Sequence, residues 1–123
     1  MNFASVRLAT QAFDTLVAFY ATLTDTPPTH LAPGFAELRL GGATLAISDQ
    51  ALIERLNAGA AVAGQNRSAI LEFETADVAA ALARLGPQAQ VVMPPTRMPW
   101  GNLSLLLRDP DGSLVNVFSR PAG

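Results

Sequence analysis

Residues 93–119 read MPPTRMPWGNLSLLLRDPDGSLVNVFS, and this stretch decides the fold. Two apolar runs, 103–107 and 114–118, flank the tetrapeptide Asp-Pro-Asp-Gly. That tetrapeptide favours a tight turn, because proline fixes one turn dihedral, aspartate accepts hydrogen bonds from the following backbone and glycine tolerates a left-handed conformation. The stretch therefore predicts a β-hairpin. Asn116 is the one polar residue inside its second strand.

Upstream of this hairpin, alternation and helical spacing of apolar residues predict the same order of elements twice. The first half has predicted strands at 3–8, 35–40 and 44–48, and a helix that starts near Phe13 and ends at Pro27-Pro28. Gly41-Gly42 is expected to supply the positive dihedrals of the turn between its last two strands. The second half has predicted strands at 69–74 and 91–93, a helix at 78–85, and the closing hairpin.

The spacing of equivalent residues indicates an internal repeat. Asp14 and Asp77, predicted to cap the two helices, are 63 positions apart (77 − 14), and Leu8 and Phe73 are 65 apart (73 − 8). One βαβββ half cannot cover the inner face of its own sheet, so two halves are expected to form one domain. We place half one at about 1–50, a connector at about 51–67 and half two at about 68–120, and residues 50–57 favour a short surface helix.

Composition excludes several classes of protein. The chain has 123 residues, half of them hydrophobic and 15% charged, which excludes a disordered tail. Its eight basic residues are scattered arginines and its net charge is −2, so no basic stripe is available for nucleic acid. It contains no cysteine, which excludes disulfides and thiolate chemistry. Without a recognisable signal peptide or membrane-spanning run, we expect a cytoplasmic protein with no membrane partner.

Several short motifs follow one another along nearly the whole chain. They are Phe19-Tyr20, ILEFETADV at 70–78, MPWG at 98–101, RDPDG at 108–112 and SLVNVF at 113–118. In this order and spacing the chain resembles the vicinal oxygen chelate superfamily, which includes glyoxalase I, bleomycin-resistance proteins and extradiol dioxygenases. The resemblance implies an α+β fold in which two βαβββ modules form curved mixed sheets around a cleft, with the helices outside. It also implies a homodimer.

The resemblance places four metal-ligand positions in this sequence. The metal enzymes of the superfamily hold a divalent ion with His and Glu residues, and the matching positions are Ser5, Ala46, Ile70 and Asn116. None of these is ionisable, and a divalent ion requires several carboxylate or imidazole donors. We therefore expect no metal and no cofactor. The one histidine, His30, is expected to be an exposed loop residue.

Strand alternation selects the side chains expected to face the cleft. If Leu71 and Phe73 pack under a helix, then Ile70 and Glu72 face the other side, and the same reasoning places Ser5 and Arg7 there in half one. Glu72 could act as a general base or orient the amine of a ligand. The alternative is an ion pair with Arg7.

Three further side chains are candidates for ligand binding. Met98 and Trp100 lie in a proline-rich loop, where a flat indole could stack on a planar ligand. The alternative is that Trp100 seals the end of the core or a dimer interface. Asn116 offers one donor and one acceptor, and the alternative is a satisfied buried amide that bridges two strands.

These observations lead to two hypotheses about function. The first is metal-independent binding of a small organic molecule at Ser5, Arg7, Glu72, Met98, Trp100 and Asn116, as in the drug-sequestering or metabolite-sequestering members of the family. The alternative is a lyase or isomerase in which Glu72 is the base, while Asn116 and Arg7 orient the substrate.

Overall fold

The computed structural model describes residues 1–122 and divides into two compact units, Met1–Gln65 and a second that begins at Asn66. Each unit contains one four-stranded sheet and the helices that accompany it. The first unit contains β1 (Val6–Thr10), α1 (Phe13–Thr24), β2 (Thr29–Ala32), β3 (Phe35–Leu40), β4 (Ala43–Asp49) and α2 (Gln50–Leu56). The second contains β5 (Ile70–Glu74), α3 (Val78–Leu85), a 3₁₀ turn (Gly86–Gln88), β6 (Gln90–Arg97), β7 (Leu103–Arg108) and β8 (Leu114–Ser119).

The two sheets share one topology. The strand order is β1-β4-β3-β2 in the first and β5-β8-β7-β6 in the second. In each sheet the first strand pairs in parallel with the last, and the other pairings are antiparallel. A parallel pair needs a long crossover connection, which the intervening helix and strands provide. The predicted α+β fold of two βαβββ modules is confirmed.

Each sheet buries one face against its own helix. In the first unit α1 packs on β3 and β4, and in the second α3 packs on β7 and β8. The first core is formed by Leu16, Val17, Phe19, Tyr20, Leu23, Ala36, Leu38, Leu45 and Ile47. The second is formed by Leu71, Val78, Ala81, Leu85, Leu105, Leu107, Val115 and Val117. Burial of each large apolar side chain contributes about 1.5–3 kcal/mol, so these faces are the main source of stability.

The closing hairpin matches its prediction. One carboxylate oxygen of Asp109 accepts hydrogen bonds from the backbone N–H groups of Asp111 and Ser113, each at 2.9 Å. Gly112 has a φ of 90°, which the turn requires and which glycine adopts without strain. The adjoining strands are one residue longer than predicted, since they end at Arg108 and Ser119.

The start of the first half differs from its prediction. The first strand begins at Val6, not at residue 3, and continues to Thr10, while the side chain of Phe3 is 88% exposed. The prediction that Asp14 caps the first helix is wrong, because Asp14 lies inside its first turn and the N-cap residue is Ala12. The buried hydroxyl of Thr10 accepts the Ala12 N–H at 3.0 Å, so the end of the strand supports the start of the helix.

The end of the first helix and the turn before β4 also differ from their predictions, whereas the short helix after β4 agrees. The first helix ends at Thr24, ahead of Pro27-Pro28, because Asp25 adopts a left-handed conformation with φ 50° and donates its N–H to the last carbonyls. In the turn before β4 only Gly41 has a positive φ, so the expectation for Gly42 is wrong. The predicted short helix after β4 is present, and Asp49 caps it by accepting the Ala51 N–H.

Two strands exceed what the sequence predicted. Residues 29–32, expected as a loop, form the edge strand β2, and His30 lies on it exposed. The predicted strand 91–93 is β6, which extends through Pro94 and Pro95. Proline is tolerated there because β6 is an edge strand and its register shifts between Met93 and Thr96. None of the helices within residues 1–122 has the length and apolarity that crossing a membrane requires.

Candidate ligand-binding face of the second sheet

The face of the second sheet opposite α3 carries a polar pair. Strand pairing aligns Glu72 with Asn116, Asn116 with Leu106, and Leu106 with Met93. Aligned residues point to the same side of a sheet, so these four side chains form one row across the face opposite the buried residues. We call this the Glu72–Asn116 row. It contains two of the predicted site residues.

A side-chain hydrogen bond joins the polar pair. The Nδ2 group of Asn116 donates to Oε2 of Glu72 at 2.9 Å. A carboxylate can only accept, so the amide nitrogen must face Glu72 and the amide oxygen must face away. That oxygen, Oδ1, is buried and has no hydrogen-bond partner. Asn116 therefore bridges two strands, as in the alternative to ligand binding, but its amide is only half satisfied.

Glu72 is exposed and keeps an uncompensated charge. Among the described residues of its own unit, 66–122, no basic side chain forms an ion pair with Glu72. Glu74, two residues further along the same strand and on the same face, pairs with Arg120 at 3.0 Å. Arg120 also lies over the ring of Phe118, 5.5 Å from its centroid. One of the two carboxylates on this strand is thus neutralised and the other is not.

Apolar side chains surround the pair. Leu106 and Met93 continue the row and are half-buried, while Ile70, on the same face as Glu72, is 51% exposed. An exposed carboxylate beside partly exposed hydrocarbon offers two kinds of contact at once. The arrangement is suited to a small molecule that has both a polar group and an apolar part.

The equivalent face of the first sheet has satisfied charges. Arg7 donates to Oδ1 of Asn57 at 2.9 Å and lies 6.0 Å from the ring centroid of Phe35. Ala46 is aligned with both Arg7 and Glu37, and Glu37 pairs with Arg39 at 3.1 Å. Ser5, the other predicted residue of this half, is exposed and precedes the first strand.

Trp100 lies beyond the end of the second sheet. It sits in the loop between β6 and β7, where Met98 donates its N–H to Asn102 at 2.7 Å and accepts the N–H of Gly101 at 2.9 Å. Its side chain is 69% exposed, so it does not seal the core of its unit. From Leu106 to the first residue of β7 is three residues, about 10 Å of strand. Met98 and Trp100 are thus separated along the strand from the Glu72–Asn116 row.

The four metal-ligand positions do not supply a ligand set. Ala46 and Ile70 have no donor atom, and Ser5 and Asn116 offer only neutral oxygens. Within residues 1–122, no three side chains of the types His, Cys, Asp and Glu group together in a way that could hold a metal ion. His30 instead contacts Phe13 edge-on, with ring centroids 6.1 Å apart. The residues at these positions do not fit a divalent ion.

Two features of the first unit were not predicted. The hydroxyl of Ser48 is buried and has no hydrogen-bond partner. A shallow surface groove of about 440 Å³ lies beside the turn that precedes β3 and against α2. The groove is lined by Ala32, Pro33, Gly34, Asp49, Ala51, Leu52, Arg55 and Leu56. No motif in the sequence marks either feature.

Comparison with known families identifies the chain. The profile described as the Glyoxalase/Bleomycin resistance protein/Dioxygenase superfamily matches residues 2–117. The chain belongs to this superfamily. The glyoxalase-type assignment thus confirms the resemblance expected from the motifs. A comparison with curated proteins gave no significant match.

Solved structures share this glyoxalase-type fold. A protein of unknown function from Agrobacterium tumefaciens str. C58 is 25% identical, with a TM-score of 0.81, over 97% of this chain and 94% of that one. A glyoxalase-related enzyme from Fulvimarina pelagi is 24% identical, with a TM-score of 0.81, over 100% and 93%. A glyoxalase/bleomycin resistance protein/dioxygenase from Nocardioides is 23% identical, with a TM-score of 0.76, over 100% and 85%. These similarities extend over almost the full length of the chain.

Proposed function

We propose that this protein binds a small organic molecule on the helix-free face of its second sheet, without a metal ion. The observation that carries the proposal is the half-satisfied amide of Asn116, whose Oδ1 is buried without a partner. A buried acceptor that lacks a donor costs about 1–3 kcal/mol. An apolar side chain in this position would avoid that cost, so the amide is better explained by binding than by folding.

The chemistry of the metal positions supports a metal-independent role. Members of the superfamily that use a metal need ionisable ligands, and Ser5, Ala46, Ile70 and Asn116 provide none. The Glu72–Asn116 row still offers a charged acceptor and apolar surface on one face. Non-covalent sequestration of a drug or metabolite requires no more than such a surface.

The direct test is a binding screen with the variant Asn116→Leu. Planar and peptide-like compounds are titrated while the side-chain amide signal of Asn116 is followed by NMR. We expect saturable shifts in the wild-type protein and at least about tenfold weaker binding in the variant, since one buried hydrogen bond to the ligand is lost. The free energy of unfolding of the variant should be unchanged or raised by up to about 1 kcal/mol.

The matched control is Asn57→Leu, which removes an exposed, hydrogen-bonded asparagine from the first unit. It should leave affinity for the same compounds within about twofold, since it changes no residue of the second sheet. A screen without saturable binding would refute the proposal. So would an Asn116→Leu protein that binds as well as the wild type. Native mass spectrometry of the freshly purified protein would show a co-purified ligand and would also test the expected homodimer.

A lyase or isomerase is the second candidate function. The favouring observation is that Glu72 is exposed and that the amide of Asn116 fixes the direction of its carboxylate. In that role Glu72 would accept a proton from a carbon of the substrate. The variant Glu72→Gln separates the two functions in one preparation. If Glu72 is a general base, the Glu72→Gln enzyme should lose most of its turnover, by about 10²–10⁴-fold, while its affinity for the substrate changes little.

A further inference from the structure

We propose that the ligand of the Glu72–Asn116 row is a protonated amine attached to an apolar skeleton. This inference rests on the proposed binding function and names the chemical class of its ligand. It is carried by the uncompensated charge of Glu72, whereas the proposed function is carried by the amide of Asn116. The two can therefore fail separately.

The first argument is the charge of the row. Glu72 is exposed, and no basic side chain of its own unit within residues 66–122 forms an ion pair with it. A free carboxylate repels an anionic ligand and attracts a cationic one, and a hydrogen bond to an ionised acceptor is roughly twice as strong as a neutral one. The nearest carboxylate on the same face, Glu74, is already paired with Arg120. The attraction is thus concentrated at one position.

The second argument is the number of acceptors. An ammonium group has three donors and no acceptor. Oε2 of Glu72 already accepts from Asn116, which leaves Oε1 as an exposed acceptor and Oδ1 of Asn116 as a buried one. Glu72 can be reached without rearrangement because it is exposed, whereas contact with Oδ1 requires the neighbouring side chains to shift. A ligand rich in donors matches a row rich in acceptors.

The third argument is the apolar surroundings. Leu106 and Met93 lie in the same row, and Ile70 presents 51% of its surface on the same face. Hydrocarbon placed on these side chains gains roughly 25 cal/mol for each Å² of apolar surface removed from water. A small inorganic or strongly hydrated cation would leave this surface unused. The row therefore favours an amine that carries a hydrophobic body.

The test uses matched probes of different charge. Primary ammonium, alcohol and carboxylate compounds are built on the same set of aromatic and branched aliphatic skeletons, for example 2-phenylethylamine, 2-phenylethanol and 3-phenylpropionate. Dissociation constants are measured by NMR titration of the Asn116 side-chain amide in the full-length protein. We expect each ammonium to bind at least about tenfold more tightly than its alcohol and the carboxylate to bind most weakly. Raising the salt concentration should reduce the preference for the ammonium.

Two variants on the same strand test whether the preference for the ammonium depends on Glu72. Glu72→Gln keeps the shape and should abolish the preference for the ammonium over the alcohol. Glu74→Gln removes an equal charge from the same face, but one that Arg120 neutralises, and should leave the preference within about twofold. Equal losses in the two variants would overturn the inference, because they would indicate attraction to net charge alone.

The outcomes separate the inference from the proposed function. Saturable binding that is sensitive to Asn116→Leu but equal for ammonium and alcohol refutes the amine and retains the function. Binding that is tightest for the carboxylate also refutes the amine and retains the function. No saturable binding of any probe on any skeleton overturns both.

Discussion

The two halves of the molecule place different chemistry on equivalent rows of their sheets. The equivalent rows are Arg7–Ala46–Glu37 and Glu72–Asn116–Leu106. Arg7 and Glu72 stand 65 positions apart (72 − 7), and each lies on the first strand of its sheet, aligned with the last strand. The repeated architecture thus acts as an internal control, because the fold is held constant while the side chains change.

The difference lies in how the polar groups of each row are satisfied. In the first row Arg7 is bonded to Asn57, and Glu37 is paired with Arg39. In the second row Glu72 has no ion-pair partner within its own unit, and the amide of Asn116 lacks a partner for its oxygen. A satisfied row is explained by the stability of its own unit. Both proposals interpret the unsatisfied row as one that a ligand completes.

The largest effect is expected in the two cores, which should be equivalent. Leu38 of the first sheet and Leu105 of the second are both fully buried. Leu38→Ala and Leu105→Ala should each lower the free energy of unfolding by about 2–5 kcal/mol, because each leaves a cavity. Urea denaturation measures the loss. A loss below about 1 kcal/mol in one variant would show that the halves do not contribute alike.

Exchanging the residues at positions 46 and 116 between the rows should have an intermediate effect on the free energy of unfolding. Ala46 is 2% exposed, so Ala46→Asn buries an amide in a closely packed position and should destabilise the protein by about 1–3 kcal/mol. Asn116→Ala, the reverse change in the second row, should cost less than about 1 kcal/mol, since exposed Glu72 regains water. Thermal and urea unfolding of both variants test this asymmetry. Equal losses would remove the proposed distinction between the rows.

The smallest effect is expected at the helix starts. Asp77 accepts the N–H of Ala80 at 3.0 Å, and Asp77→Ala should cost about 1 kcal/mol. Asp14 lies in the first turn of α1 and caps no N–H group, so Asp14→Ala should cost only about 0.3–0.5 kcal/mol through the helix dipole. Urea denaturation resolves this difference at low ionic strength. A larger loss for Asp14→Ala would restore the capping role that the sequence suggested.

The elements that alternation and turn chemistry describe could be predicted from sequence. The hairpin at Asp109, the helix at Val78–Leu85 and the faces of β5 all follow from local patterns. β2 could not be predicted, because its four exposed residues have no alternation of burial and their pairing comes from β3. The predicted range of β6 was too short for a related reason, since only the position of this strand at the sheet edge makes Pro94-Pro95 compatible with a strand.

The candidate site could be predicted only in part. Alternation placed Glu72 on the face opposite the core, and the resemblance to the superfamily singled out Asn116. Their hydrogen bond depends on the register between β5 and β8, which are more than forty residues apart along the chain. Because the two halves repeat, the strand register of one half would have predicted the register of the other and hence the pairing of Glu72 with Asn116. For Trp100 the sequence left a ligand contact, the end of the core and a dimer interface open, because exposure of a loop side chain depends on tertiary packing. Its 69% exposure excludes the core of its own unit.

The paired prolines of β6 also limit the addition of a strand from another chain to this edge of the sheet. An open edge strand presents unpaired N–H groups to which a foreign strand can add. Pro94 and Pro95 have no N–H group, and they lie in the exposed middle of the edge strand of the second sheet. Intermolecular strand addition is therefore interrupted at this edge. The same residues that obscured the strand in the sequence protect the folded protein against edge-to-edge aggregation.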